Sequence, residues 1–197
     1  MLTTVIGAYP KPSYLEITDW FKSDGGTDTE YPTKYYINEL KGLGNSAEKL
    51  FNRATKEIIN DQIECGIDII TDGEVKRENY IHYHCRNLNG IDFNKLTKKT
   101  ARTGNYSCYL PTITNKINSS KPFLTNDWHE AQKISKKPVK ITIPGPLTIS
   151  DTISNQYYSS DKKMNEDLSL SINVEILRLI EKGCKYIQID EPLFARK

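Results

Sequence analysis

Apolar positions along the chain follow two recurring patterns: helical spacings that end at a glycine, and short β-branched runs that end at acidic or turn-forming residues. Leu50, Phe51, Ala54, Ile58 and Cys65 recur at helical spacing after Ser46, a good N-cap residue. Gly66 can close that helix in the left-handed conformation. Residues 67–71 then read as a strand buried on both faces, as in a parallel sheet. The order returns near the other end. Leu168, Ile172, Ile176, Leu179 and Ile180 predict a helix capped at Asp161, Gly183 ends it, and an apolar strand follows. A glutamate stands at the same distance from each glycine, Glu74 from Gly66 and Glu191 from Gly183.

The remaining pattern fills in this frame. Residues 3–7 (TTVIG) predict the first strand, and AYPKP forces an extended exit from it. Residues 13–45 carry little periodicity. Residues 23–28 are a loop by composition, and Trp20 with its neighbouring tyrosines is predicted to cover one end of the sheet. Residues 87–105 are polar and lysine-rich, as in a surface excursion. Residues 109–117 predict a third strand, where Pro111 suits only the start. Thr125 or Asn126 caps a helix to about Ser135, and residues 139–143 form a fourth strand that PGP stops. Every connection is long enough for a right-handed crossover.

The prediction is therefore an α/β chain with a single domain over residues 1–197, a TIM (β/α)8-type barrel truncated after about five βα units. Eight such units need on the order of 300 residues. The runner-up, an open doubly wound sheet, lacks a GxGxxG turn after its first strand.

Composition narrows the function. With 27 basic and 25 acidic residues, a net charge of +2 leaves no electrostatic footprint for nucleic acid. No apolar run approaches the roughly 18 residues of a membrane span, and the N-terminus does not read as a signal peptide. The 4 cysteines (Cys65, Cys85, Cys108, Cys184) lack CxxC spacing, which predicts free thiols in a cytoplasmic protein.

Reactive side chains concentrate after the second strand, in ITDGEVKRENYIHYHCR. Ligands in α/β folds bind at the carboxyl ends of strands, so Glu74 and Asp190 are site candidates rather than simple caps or salt-bridge partners. Asp72 reads as a turn residue. His82 and His84 share a face only if their segment is extended, so with Cys85 they read as structural or substrate-lining rather than as metal ligands.

Four motifs in order, TTVIGAYP, ITDGEVKRENYIHY, IPGPLTISDT and YIQIDEP, resemble the catalytic barrel of the cobalamin-independent methionine synthase family, and most of all its short single-barrel members. The resemblance implies methyl transfer from methyltetrahydrofolate or a methyl-corrinoid protein to the thiol of homocysteine, with zinc activating that thiol. It implies that Glu74 and Asp190 hold the amino group and that the backbone of Ile6, Gly7 and Ala8 binds the carboxylate. Arg77, Gly145, Pro146 and Thr148 join them as substrate-binding candidates.

The chain also departs from the family pattern. Ala8 replaces a serine, Thr152 stands near the place of an aromatic residue, and residues 107–110 read SCYL where basic residues are expected. The first change removes one hydroxyl contact; the other positions serve the folate donor in the family, so the corrinoid donor fits better. The family's zinc ligands come from later strands, so no metal ligand is expected in these residues, and no cofactor-binding residue is assigned. The first and fifth predicted strands would each be left with an unpaired edge. The expected partners are therefore homocysteine, a methyl donor, and a complementary C-terminal barrel fragment or a second copy. The alternatives are a catalytically silent fragment, or a uroporphyrinogen-decarboxylase-like enzyme, against which IQIDEP and GEVKRENY argue.

Overall fold

The computed structural model describes residues 1–19, 21, 30–101 and 106–195, so Trp20 and the predicted loop at 23–28 lie outside the described residues. The elements are α1 (Glu30–Leu43), α2 (Ala47–Glu64), β1 (Ile70–Thr71), α3 (Tyr80–Arg86), β2 (Leu88–Ala101) and β3 (Tyr106–Ser119). They continue with α4 (Leu124–Ile134), β4 (Val139–Pro144), α5 (Pro146–Asp151), β5 (Ser154–Asn155), α6 (Asp161–Glu181) and β6 (Tyr186–Asp190).

Both predicted glycine stops form in the same way. Gly66 (φ 80°) and Gly183 (φ 95°) are left-handed. After α2, Ile67 N donates to Gln62 O and Gly66 N to Ile63 O; after α6, Cys184 N donates to Leu179 O and Gly183 N to Ile180 O. This pair of bonds is the Schellman closure, which satisfies carbonyls that the helix end leaves open. At the other end of α6 the cap is Ser160, whose side chain accepts from Lys163 N, rather than the predicted Asp161.

β1, β4 and β6 form a parallel sheet in that order, and Thr4 bridges Ile69 in parallel beside β1. Every residue of β4 is buried. Ile70, Ile141 and Ile143 pack with Ile59 of α2, Leu124 and Trp128 of α4, and Leu168 and Leu179 of α6. Burying each such side chain is worth about 1.5–3 kcal/mol. A smaller cluster (Leu15, Ile17, Tyr36, Phe51, Ala54, Ile58, Val75) seats α1 and the chain before it against α2.

The sheet is strongly curled. Lys140 Nζ on β4 donates to Val5 O (2.6 Å) and Gln188 Nε2 on β6 donates to Ile6 O (3.1 Å). Both reach the first strand across its concave side, although β1 lies between in hydrogen-bonding order.

The predicted third strand is a strand, but not of this sheet. β3 pairs antiparallel with β2, and the short β5 lies parallel to β3, making a second sheet. The parallel sheet of the described residues therefore has four strand positions (Thr4, β1, β4, β6) where the sequence pattern predicts five. The polar stretch is misleading over β2 because an antiparallel strand with one wet face can be rich in Lys, Asn and Thr, and residues 102–105 lie outside the described residues. Pro111 sits inside β3, opposite Leu96 beside a register shift, where no regular ladder bond is demanded of it. No helix among the described residues is long and apolar enough to cross a membrane.

Candidate active site at the strand ends

The turn after β1 is held from both sides. Gln62 of α2 brackets Thr71, accepting from its N–H and donating to its carbonyl (both 2.9 Å), while Thr71 Oγ1 donates to Gly7 O at 2.8 Å. Gly73 has φ 70°, and a Cβ there would lie 2.7 Å from Ile58 Cγ2. Glu74 follows with φ 54°, the one non-glycine residue with positive φ among the described residues. Such a conformation costs about 1–3 kcal/mol and persists where the surroundings enforce it. Asp72 helps enforce it, its Oδ1 accepting from Glu74 N at 3.1 Å.

This backbone delivers the Glu74 carboxylate to a buried position. Thr142 Oγ1 on β4 donates to Glu74 Oε1 at 2.6 Å, and Arg77 Nη1 lies 3.6 Å from the same oxygen. Arg77 is itself buried, donating to Thr142 O (3.0 Å) and Oγ1 (2.9 Å) and lying 3.8 Å from Asp72 Oδ2. Burial is the largest influence on Glu74 and raises its pKa, with Arg77 and the Thr142 hydrogen bond acting against it. Asp190, at the end of β6, is also raised by burial and is opposed first by Gln188, whose Nε2 donates to Asp190 Oδ1 at 2.6 Å.

Glu74 and Asp190 line one cavity of about 370 Å³ together with Ile6, Ala8 and Arg77. Its walls also carry Lys11, Asp19, Glu78 and Glu191, which sequence reasoning did not single out as site residues. Lys11 Nζ donates to Arg77 O (2.9 Å), and Asp19 Oδ2 accepts from Lys11 N (2.8 Å). Lys11 lies within the extended exit from the first strand, a position that could have flagged it. Gly7 lies behind the wall: a Cβ on it would sit 2.6 Å from Glu74 Oε1.

Gly145, Pro146 and Thr148 lie outside the cavity lining; Pro146 opens α5, and Gly145 and Thr148 serve Glu191. Leu147 N donates to Glu191 Oε1 (2.8 Å), and Thr148 N (3.0 Å) and Oγ1 (2.7 Å) both donate to Oε2. A Cβ on Gly145 would stand 2.1 Å from Glu191 Oε1, which leaves no room for this arrangement. Gly145→Ala is accordingly expected to displace Glu191 and destabilise the protein by about 1.5–3 kcal/mol, the worth of hydrogen bonds to a charged group. Thermal unfolding checks this, and an unchanged midpoint would show that Glu191 is not needed there.

The family model described as "Cobalamin-independent synthase, Catalytic domain" matches residues 1–197. The chain belongs to the cobalamin-independent methionine synthase family. It is 34% identical over 191 residues to a methionine synthase of Sulfolobus acidocaldarius, covering 96% of this chain and 51% of that protein. It is 33% identical over 198 residues to one of Saccharolobus solfataricus, covering 99% and 54%. The B12-independent methionine synthase of Shewanella sp. W3-18-1, solved in complex with selenomethionine, superposes with a TM-score of 0.80 at 27% identity, over 98% of this chain and 52% of that one. The chain thus spans about half the length of the relatives it matches.

The zinc of the family does not fit the residues described. Among them, no three His, Cys, Asp or Glu side chains gather as a metal would require. α3 turns its candidates apart: His82 Nε2 lies 3.2 Å from Thr152 O, while the His84 ring packs edge-on against Phe123 at 5.0 Å. Burial lowers the pKa of His82 to about 4 and of His84 to about 3, and pushes the Cys85 thiol up.

Proposed function

We propose that this chain is the opening part of a (β/α)8 barrel that transfers a methyl group to the sulfur of homocysteine. Its own share of that work is to grip the amino-acid end of the substrate. The observation that carries the reading is that Glu74 and Asp190, on the ends of two strands separated by β4, line one cavity. An ammonium leaving water needs paired anions, since a buried charge without compensation is costly. The cavity supplies them in Glu74 and Asp190, while Glu78 is paired with Arg86 (2.7 Å) and Glu191 is taken up by the start of α5. Ile6, Gly7 and Ala8 offer backbone N–H groups for the carboxylate, with Ala8 giving no hydroxyl. That the Shewanella relative was solved with selenomethionine, itself an α-amino acid, supports a site of this kind.

In the reaction, the substrate thiol gives up its proton and its sulfur forms a bond to the methyl carbon as the bond from that carbon to the donor breaks, the donor keeping the electron pair. In the family zinc activates the thiol. Residues 107–110 (SCYL) carry no basic side chain, which favours a methyl-corrinoid protein over methyltetrahydrofolate as donor. The setting proposed is the cytoplasm.

A complementary fragment of the same barrel is the proposed partner. Leu170, Val174, Leu177 and Ile180 are exposed along α6, and Ile189 is exposed on β6, whose outer edge is unpaired among the described residues. Open parallel edges and apolar faces of this kind recruit partners. The chain alone is expected to give no methyl transfer and weak or no calorimetric binding of homocysteine. Co-expression with the part of the Sulfolobus acidocaldarius protein beyond the matched segment, with zinc supplied, is expected to yield a stable complex that forms methionine. A complex without homocysteine binding would sink the site reading. A dilution-stable monomer in light scattering, with β6 amides protected from exchange, would sink the partner reading.

A further inference from the structure

Among the described residues, the hydrogen bonding to the Glu74 carboxylate falls on one oxygen. Oε1 accepts from Thr142 Oγ1, faces Arg77 Nη1, and is packed so closely against Gly7 that a Cβ there would lie 2.6 Å away. The direction of the protons follows from the donor inventory. A guanidinium only donates, so at the 2.9 Å contact Arg77 Nη1 gives its proton to Thr142 Oγ1. The single hydroxyl proton of Thr142 is directed to Glu74 Oε1, which accepts it at 2.6 Å. Hydrogen bonds received by the charged form of a carboxyl favour that form. Oε2 is left for a ligand.

We propose that Thr142, polarised by Arg77 and given room by Gly7, is a positioning residue that holds Glu74 as an anion and presents Oε2 to the cavity, so that the site selects a protonated primary amine. The amine part rests on the proposed function above; the charge-state part does not. Asp72 from the turn and Asp190 from β6 act with burial to favour the neutral acid, and Lys11, Asp19, Glu78 and Glu191 line the same cavity. Arg77 and, after it, the Thr142 hydrogen bond oppose them. Deleting one hydroxyl should therefore be felt directly in the titration.

The test uses the full chain with carbon-13-labelled glutamate side chains, the Glu74 signal being identified by its loss in Glu74→Gln. Thr142→Val keeps the shape and removes the donor, and is expected to raise the Glu74 midpoint by about one pH unit, a tenfold gain in proton affinity. Thr142→Ser, which restores a hydroxyl, should return it toward the original value; a merely structural role would not give this rescue. If Thr142→Val does not fold, Gly7→Ala is the second variant. Its Cβ would lie 2.6 Å from Oε1 and 3.0 Å from Thr142 Cγ2, forcing the pair apart and raising the midpoint in the same direction. A folded Thr142→Val, or failing it a folded Gly7→Ala, with an unmoved midpoint overturns the proposal. In the complemented protein, the acid limb of homocysteine binding should move up with the midpoint. If the midpoint moves and the limb does not, the amine reading fails while the assignment of Thr142 stands.

Discussion

Homocysteine binding by the complemented protein is expected to weaken about ten- to a hundredfold when Glu74 is replaced by glutamine, and by a similar factor when Asp190 is replaced by asparagine. Each amide keeps the shape of the side chain and removes one anion facing the ammonium, worth about 1.5–3 kcal/mol for a hydrogen bond to a charged group. The two effects should not simply multiply, because Asp190 raises the pKa of Glu74 and the carboxylates are therefore coupled. The loss should appear in the apparent requirement for homocysteine more than in turnover, since the ammonium lies away from the reacting sulfur. The pH dependence follows from the same groups. Burial raises both carboxyls, so each becomes neutral at a higher pH than an exposed acid, and homocysteine binding should fail early on acidification. Glu57→Gln, on the exposed outer side of α2, serves as the control that leaves binding unchanged. Wild-type kinetics in both cavity amides would remove Glu74 and Asp190 from the site.

What the sequence disclosed about this site was limited by what strand ends disclose. That Glu74 and Asp190 stand at strand ends and line one cavity was legible because each ends an apolar strand run, a position that directs a side chain toward the mouth of an α/β sheet. Gly66 and Gly183 were legible because few residues other than glycine adopt a left-handed helix stop. The roles of Gly145 and Thr148 were not legible. Their partner is the carboxylate of Glu191, which reaches them only because β4 and β6 are neighbours in the folded sheet, a pairing that no local pattern encodes. Thr142 was hidden for a similar reason: in VKITIP it reads as one more β-branched strand residue, and its hydroxyl acquires a task only when the turn after β1 folds onto it. The hairpin of β2 and β3 was misread because composition cannot distinguish a wet antiparallel strand from a polar loop, and the same error inflated the count of parallel strands.

Acidification should unfold the protein, with His84 as a principal cause. His84 is buried, makes no hydrogen bond through either ring nitrogen among the described residues, and has its pKa lowered to about 3 by burial and, second, by the nearby Arg77. His82 is lowered to about 4, again by burial first, while its contact with Thr152 O partly opposes the shift. In the unfolded chain both imidazoles titrate near 6.5. The unfolded state therefore takes up these protons first, and the stability present above that value is lost as pH falls through the folded pKa values. At about 1.4 kcal/mol per unit, each histidine accounts for roughly 3–5 kcal/mol over that window. This is a large part of the 5–15 kcal/mol that usually separates folded from unfolded chains. Glu74, Glu78 and Asp127 act the other way: burial raises them, so the folded state is the first to protonate them on acidification and they soften the loss. The histidine share can be isolated by substitution. His84→Leu gives up the edge contact with Phe123 but no hydrogen bond, so it should be nearly neutral at pH 7 and shift the acid unfolding midpoint to lower pH. His82→Leu removes the same kind of titration but strips Thr152 O of a partner, and should cost about 1 kcal/mol at pH 7 before any gain appears in acid. Circular dichroism across a pH series reads both, and an acid midpoint unmoved by His84→Leu would show that this ring is not buried in its neutral form.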